Sequence, residues 1–295
     1  MKSWYRYLVC LSLVFLAIAL YKADYLKLPQ ISSYSVLIIS FIFLFGGFIS
    51  DAISWKQILK HSNYHVDLGE CLAGVGLSIF GKYVPGKIWT IVGRAAYVAE
   101  KNHYPLSKLS AISLNAQFIA LWLGLIFGAI GLFLFGGLYL WGWLILFLWL
   151  GLTIVIFSKL AHGSAERVIK IALRKDIQIP RLTIKSTLSV MPWFVVLWVF
   201  WSIGFYMLVT SLTAMDVAWS VGLAFPLAAT LGVIAFIAPG GLGVREGVMV
   251  GYLTLAGLPI AEAVTIAGAS RLWFLVGEAF IFTMGWLADK RSHSS

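Results

Sequence analysis

The chain has 295 residues, of which 61% are hydrophobic and 12% charged, and its mean hydropathy is +0.92. That composition excludes a soluble globular domain and a disordered chain, and identifies an all-α polytopic membrane protein forming one integral membrane domain over 1–295. The net charge of +10 does not indicate a nucleic-acid partner, because the basic residues fall in blocks between apolar runs, as the positive-inside bias distributes them.

Lys2 and Arg6 precede an apolar run from Tyr7 to Leu20, flanked by tyrosines suited to the membrane interface, which predicts a first span. The alternative is a signal peptide, since Ala17-Ile18-Ala19 has the form of a cleavage site. Tyr34 to Ile49 is a second span returning the chain to the cytoplasm. From Asp51 to Lys108 there are seven Lys or Arg against four acids, which assigns this block to the inside. Within it, Gly69 to Phe80 and Ile88 to Val98 are apolar arms too short to cross, joined through Tyr83-Val84-Pro85-Gly86-Lys87. They predict a re-entrant hairpin with Pro85 and Gly86 at its tip; the alternative is a pair of amphipathic surface helices with Lys82, Lys87 and Arg94 snorkelling.

Leu109 to Phe135 and Tyr139 to Phe157 are full spans joined outside by a chargeless turn. Gly124, Gly128 and Gly131 recur at helical spacing in the first and predict close helix packing. Trp141, Trp143 and Trp149 in the second are expected at the interface or against lipid. Lys159 to Ser189, with seven Lys or Arg against two acids, is the second cytoplasmic block, and Ser164 to Ile177 has the pattern of a basic interfacial helix. The halves divide here, approximately 1–158 and 159–295. Val190 to Leu212 crosses outward, Ala218 to Ile237 and Gly241 to Leu258 flank a second break, and Glu262 to Leu287 crosses inward. The count is six full spans and two Pro-Gly hairpins, in the cell membrane, with both termini cytoplasmic.

The second break, FIAPGGLGVREG from Phe236 to Gly247, places Pro239, Gly240, Gly241 and Gly243 beside the adjacent pair Arg245 and Glu246. A helix reaching Pro239 loses a backbone donor and must bend or stop, and the freed backbone groups need a protein-lined or watered cavity. Three spans separate the two hairpins, so they enter from opposite sides, the arithmetic of an inverted repeat whose broken elements meet near the midplane. Half-helices starting after Gly86 and Gly243 would aim positive ends, with Lys87 and Arg245, at an anionic group, of which phosphate is the commonest in a membrane.

In the last span Arg271 and Glu278 share a face about 10 Å apart along the axis, so each needs a partner from another helix. The candidates are Glu246 for Arg271, and Arg94 or Arg245 for Glu278; the alternative role for these charges is a packing brace. Cys10 and Cys71 are expected to be buried thiols, and no metal or other cofactor is expected, since no acid or cysteine completes the His61 and His65 pair.

GKYVPGKIW at Gly81 to Trp89, PGGLGVREG at Pro239 to Gly247, and the late Arg271 and Glu278 resemble the transmembrane region of lysylphosphatidylglycerol synthases, a family that includes stand-alone flippase-like proteins. The resemblance implies a lipid-translocating module with two re-entrant elements and roles for Arg245, Glu246, Arg271 and Glu278 in a lipid-accessible cavity. The soluble aminoacyl-transferase domain of the full synthases is not in this sequence, and the chain is expected not to be an enzyme. The expected function is movement of a phosphate-bearing lipid between leaflets, with Lys82, Lys87, Arg94, Arg245, Glu246, Arg271 and Glu278 as headgroup-binding residues. The alternatives are an accessory subunit of a glycolipid, polysaccharide or phospholipid synthesis system, and a polytopic glycosyltransferase. The expected partners are anionic membrane lipids, with a second copy of the chain or a lipid or polysaccharide synthase as candidate protein partners.

Overall fold

The computed structural model describes residues 31–83, 88–134, 139–158, 184–235, 241 and 243–294. Among them the secondary structure is helical throughout. Four helices are long and apolar enough to cross a membrane: α1 (Tyr34–His61), α4 (Leu106–Leu134), α6 (Ile184–Leu212) and α9 (Ile260–Ser294). A fifth apolar helix, α5 (Tyr139–Phe157), has the bounds the sequence predicts. The expected span at 7–20, the basic helix at 164–177 and Cys10 lie outside the described residues. Cys71 is buried and free, as expected.

α1 runs well past Ile49, through Asp51 to His61, because nothing at Asp51 breaks a helix and the buried Ala52, Trp55, Ile58 and Leu59 continue its apolar stripe. It stops where Asn63 adopts a left-handed backbone, φ 64°, and the Ser62 N–H donates to the carbonyls of Ile58 and Leu59. His61 is therefore the last residue of the helix and His65 lies beyond it, so the pair shares no helical face.

Between the long helices lie two antiparallel pairs of short ones. In the first, α2 (Leu68–Ser78) tightens into a 3₁₀ turn over Ile79–Tyr83, and α3 (Trp89–Asn102) returns beside it. Asn102 Nδ2 donates to Glu70 Oε2 at 3.1 Å at the base, and Gly81 lies against Trp89 and Thr90 near the tip. In the second, a 3₁₀ turn over Trp219–Leu223 leads into α7 (Ala224–Ile234), and α8 (Val244–Leu255) returns. Tyr252 Oη donates to the Ser220 carbonyl at 3.1 Å at its base, and Gly232 meets Arg245 and Gly241 near its tip. Residues 84–87, 236–240 and 242, which carry Pro85, Gly86, Lys87, Pro239 and Gly240, lie outside the described residues.

The packing of the first half recurs in the second. α2 packs on α3, α3 on α4, and α2 crosses to α9; α7 packs on α8, α8 on α9, and α7 crosses to α4. The long helices α1 and α6 pair side by side and antiparallel. The Ser32 N–H donates to the Ser211 carbonyl at one end, and Ser189 Oγ lies 3.2 Å from His61 Nδ1 at the other.

Small residues permit the two crossings. Gly124, Gly128 and Gly131 face Thr230, Leu227 and Leu223 of the second pair, the close packing their spacing predicts. On the other side Gly76 and Gly285 meet backbone to backbone, and a Cβ at Gly76 would collide with the Ile281 carbonyl. Gly76→Val is accordingly expected to destabilise the protein by about 1–3 kcal/mol, the usual effect of overpacking, and to do so more than the same change at Gly69, where a Cβ meets open space. Thermal unfolding of the two variants in detergent checks this; equal midpoints would show that α2 is not seated on α9 in this way. Trp141 and Trp143 are exposed on α5, as expected, whereas Trp149 is half-buried and stacks on Trp122 with ring centroids 5.5 Å apart. The expectation for Trp149 is corrected because it shares a helix face with Thr153, whose Oγ1 accepts from Trp122 Nε1.

An aromatic cluster joins the long helices at the centre. Phe48 of α1, Trp201 of α6 and Phe225 of α7 each lie 5.0–5.3 Å from the Phe274 ring of α9, in tilted and edge-on geometries that rigidify the contact.

Candidate functional site

Phe274 marks the place where the described parts of the two short-helix pairs meet. The α2–α3 pair is anchored near the C-terminal end of α9, where Tyr97 Oη donates to Asp289 Oδ1 at 2.8 Å, and its last described turn, at Lys82 and Tyr83, reaches Glu278. The α7–α8 pair runs along the other half of α9, past Met249 beside Ser270, and the first turn of α8 reaches Phe274 through Arg245. The described parts of the two pairs thus approach the middle of one helix from its opposite ends. Lys82 Nζ lies 4.7 Å from the Phe274 ring centroid and Arg245 Cζ lies 5.0 Å from it.

Glu278 is 1% exposed. Its Oε1 is bound by Lys82 Nζ and its Oε2 accepts from Tyr83 Oη at 2.8 Å. This corrects the expectation that Arg94 or Arg245 partners Glu278. The 3₁₀ turn carries Lys82 and Tyr83 directly onto Glu278. Arg94, more than a turn into α3, is held elsewhere: its Nε and Nη2 donate to Ser113 Oγ and O at 2.6 and 2.8 Å, and it stacks on Trp55 at 4.8 Å. Asp51 of α1 interacts electrostatically with both Arg94 and Lys82.

Glu246 has two tasks in the first turn of α8. Its Oε2 accepts from the Gly243 N–H at 2.8 Å, which is the N3 half of a capping box, glycine having no side chain to return the bond. Its Oε1 lies 3.4 Å from Arg271 Nη1, so Arg271 meets the partner expected of it. The geometry needs glycine at both preceding positions, since Gly243 has φ 81° and Gly241, at φ 71°, passes so close to Gly232 that a Cβ would be 3.0 Å from its backbone.

Arg245 differs from the others. It is 7% exposed and lies beside the contacting rings of Phe225 and Phe274, at 4.9 and 5.0 Å from their centroids. Its Nε and Nη2 have no hydrogen-bond partner among the described residues. Of its carboxylate neighbours, Glu278 is taken by Lys82 and Tyr83, whereas Glu246 caps α8 through Oε2 and keeps Oε1 3.4 Å from Arg271 Nη1 with no hydrogen bond among the described residues. A buried guanidinium with idle donors is a receptor for an anion, and its fork geometry suits the oxygens of a phosphate or carboxylate.

The structure therefore brings Lys82, Arg245, Glu246, Arg271 and Glu278 together, with Gly241 and Gly243 shaping the approach. Arg94 is held apart on Ser113 and Trp55, and Lys87 lies outside the described residues. Tyr83, Phe225, Phe274 and Asp51 are site residues that the sequence argument did not assign. Tyr83 stands next to Lys82 in the GKYVPGKIW motif, and Phe274 lies between Arg271 and Glu278 at helical spacing, so both had a usable signal. No group of three or more potential metal ligands occurs among the described residues.

No curated protein and no solved structure matches the chain. A family model described as the lysylphosphatidylglycerol synthase TM region matches residues 4–277, nearly the whole sequence, including both breaks and the first half of α9. The chain belongs to that family of integral membrane proteins.

Proposed function

We propose that this protein moves a phosphate-bearing anionic lipid between membrane leaflets, and that it is a transporter and not an enzyme. The observation that carries this reading is Arg245, a buried arginine whose Nε and Nη2 are unused among the described residues, at the point where two helical pairs meet. The recurring packing relations and the antiparallel α1 and α6 support an inverted repeat. The described part of each short pair lies against one half of α9, which supports re-entry from opposite faces. An element that reaches only the midplane can open its tip to either side as the halves rock against one another. In this reading the protein lies in the cell membrane with both termini in the cytoplasm.

The lipid's charge is the obstacle that the site removes. A phosphate at the bilayer centre without partners is prohibitive in free energy, whereas Arg245, flanked by Arg271 and Lys82, replaces part of its hydration with fixed donors. Glu246 orients Arg271, and Glu278 holds Lys82. The test is reconstitution of the full chain into vesicles holding acyl-labelled phosphatidylglycerol or phosphatidylcholine, with a membrane-impermeant quencher outside. Protein-containing vesicles are expected to expose inner-leaflet phosphatidylglycerol faster than protein-free vesicles do, and faster than they expose phosphatidylcholine. Equal quenching with and without protein would remove the transport reading and leave the charges as packing braces.

A further inference from the structure

Lys82 has two places to go. It is bound to Glu278, yet its side chain is 27% exposed, it rides on a flexible four-carbon stem, and it stands over the same Phe274 ring as Arg245. An anion held by the idle donors of Arg245 would therefore lie within the reach of the Lys82 ammonium. Glu278 has no such freedom. At 1% exposure it is strongly disfavoured as a carboxylate once Lys82 leaves, because Tyr83 is then its one hydrogen-bond partner among the described residues and Arg245, whose charge reaches it, is taken up by the anion. It can lose Lys82 if it gains a proton, and the Tyr83 hydroxyl can donate to the neutral carboxyl as well as to the carboxylate.

We infer that each anionic headgroup is carried together with one proton held on Glu278, the proton releasing Lys82 from Glu278 to the headgroup. This rests on the translocation reading above. The balance is simple: a proton from water adds to a Glu278 oxygen, Lys82 remains an ammonium, and its ion pair passes from the carboxylate to the phosphate. A singly charged headgroup and its proton together are neutral, so their passage does no electrical work against the membrane potential. The groups facing this exchange are Lys82 and Tyr83 from the first pair, Arg245 and Glu246 from α8, Arg271 on α9 itself, and Asp51 of α1 beyond Lys82. The charged residue of α6, Lys185, is in its first turn and away from the centre.

Two measurements on the full purified chain test the inference. In weakly buffered detergent solution, titration with water-soluble dihexanoyl phosphatidylglycerol is expected to take up one proton per lipid bound in the wild type and none in Glu278→Gln. Binding without uptake, or undiminished uptake in Glu278→Gln, would overturn the coupling. Infrared difference spectra recorded on acidification, without lipid, are expected to show a protonated-carboxyl band that is lost in Glu278→Gln and appears at higher pH in Lys82→Met, where no ammonium opposes the proton. A band that survives Glu278→Gln, or is unmoved by Lys82→Met should the first variant fail to fold, would overturn the proton site. If the infrared result holds but the lipid does not bind, it is the headgroup reading of Arg245 that fails.

Discussion

Replacing Arg245 by methionine is expected to abolish lipid movement while leaving the empty protein at least as stable as the wild type. The two halves of this result come from one feature. Arg245 is buried with Nε and Nη2 unpartnered among the described residues, so in the empty protein it contributes a desolvation penalty that no hydrogen bond offsets. Relief of an unsatisfied buried group is worth about 1–3 kcal/mol, and the lost stacking on Phe225 and Phe274 opposes it by a similar or smaller amount. With the headgroup bound, the same guanidinium makes charge-assisted bonds of about 1.5–3 kcal/mol, or roughly 10- to 100-fold in affinity. Arg245→Lys keeps the charge but loses the fork, and is expected to slow transport less than methionine does. Leaflet-resolved lipid movement and thermal unfolding, measured side by side, separate this from a packing role. A brace would show the reverse pattern, with stability falling and transport, in whatever protein still folds, unaffected.

What the sequence reveals and what it hides follow from how each feature is encoded. The apolar runs are legible because membrane insertion requires about 20 apolar residues in succession, and so α4, α5, α6 and α9 stand close to their expected places. Their ends are less legible, since helices here continue past the apolar stretch: α1 extends to His61 and α9 to Ser294 because polar helix formers prolong them at no penalty. The Arg271 and Glu246 pair was within reach, since both are deep in apolar sequence and Glu246 is adjacent to the break. The Glu278 partner was not. Choosing Lys82 over Arg94 depends on the 3₁₀ turn at Ile79–Tyr83, which rotates Lys82 and Tyr83 onto α9, and on Ser113, a residue of no apparent note, which holds Arg94 away. Asp51 was hidden for a related reason: a charge just after an apolar run is read as the end of a span, whereas here the helix continues and carries it inside.

Lys82→Met is expected to be more destabilising than Glu278→Gln, although both remove the same ion pair, and the double variant is expected to be more stable than Lys82→Met alone. The two partners are not equally buried, at 27% exposure for the Lys82 side chain and 1% for that of Glu278. Removing the lysine leaves a deeply buried carboxylate with one neutral donor, Tyr83, and breaking a buried pair in this way costs about 3–5 kcal/mol. Removing the carboxylate leaves an ammonium that is partly exposed, keeps the Phe274 ring at 4.7 Å, and retains Asp51 within electrostatic reach, so the loss is smaller. When both are neutral neither penalty remains, and the double-mutant cycle returns a coupling that is favourable for the pair but small for the net contribution of the pair to folding. Thermal unfolding of the wild type, the two single variants and the double variant is the measurement. Equal losses in the two single variants would mean that Glu278 is not the more deeply buried member of the pair, and would count equally against its role in carrying the lipid's counter-charge.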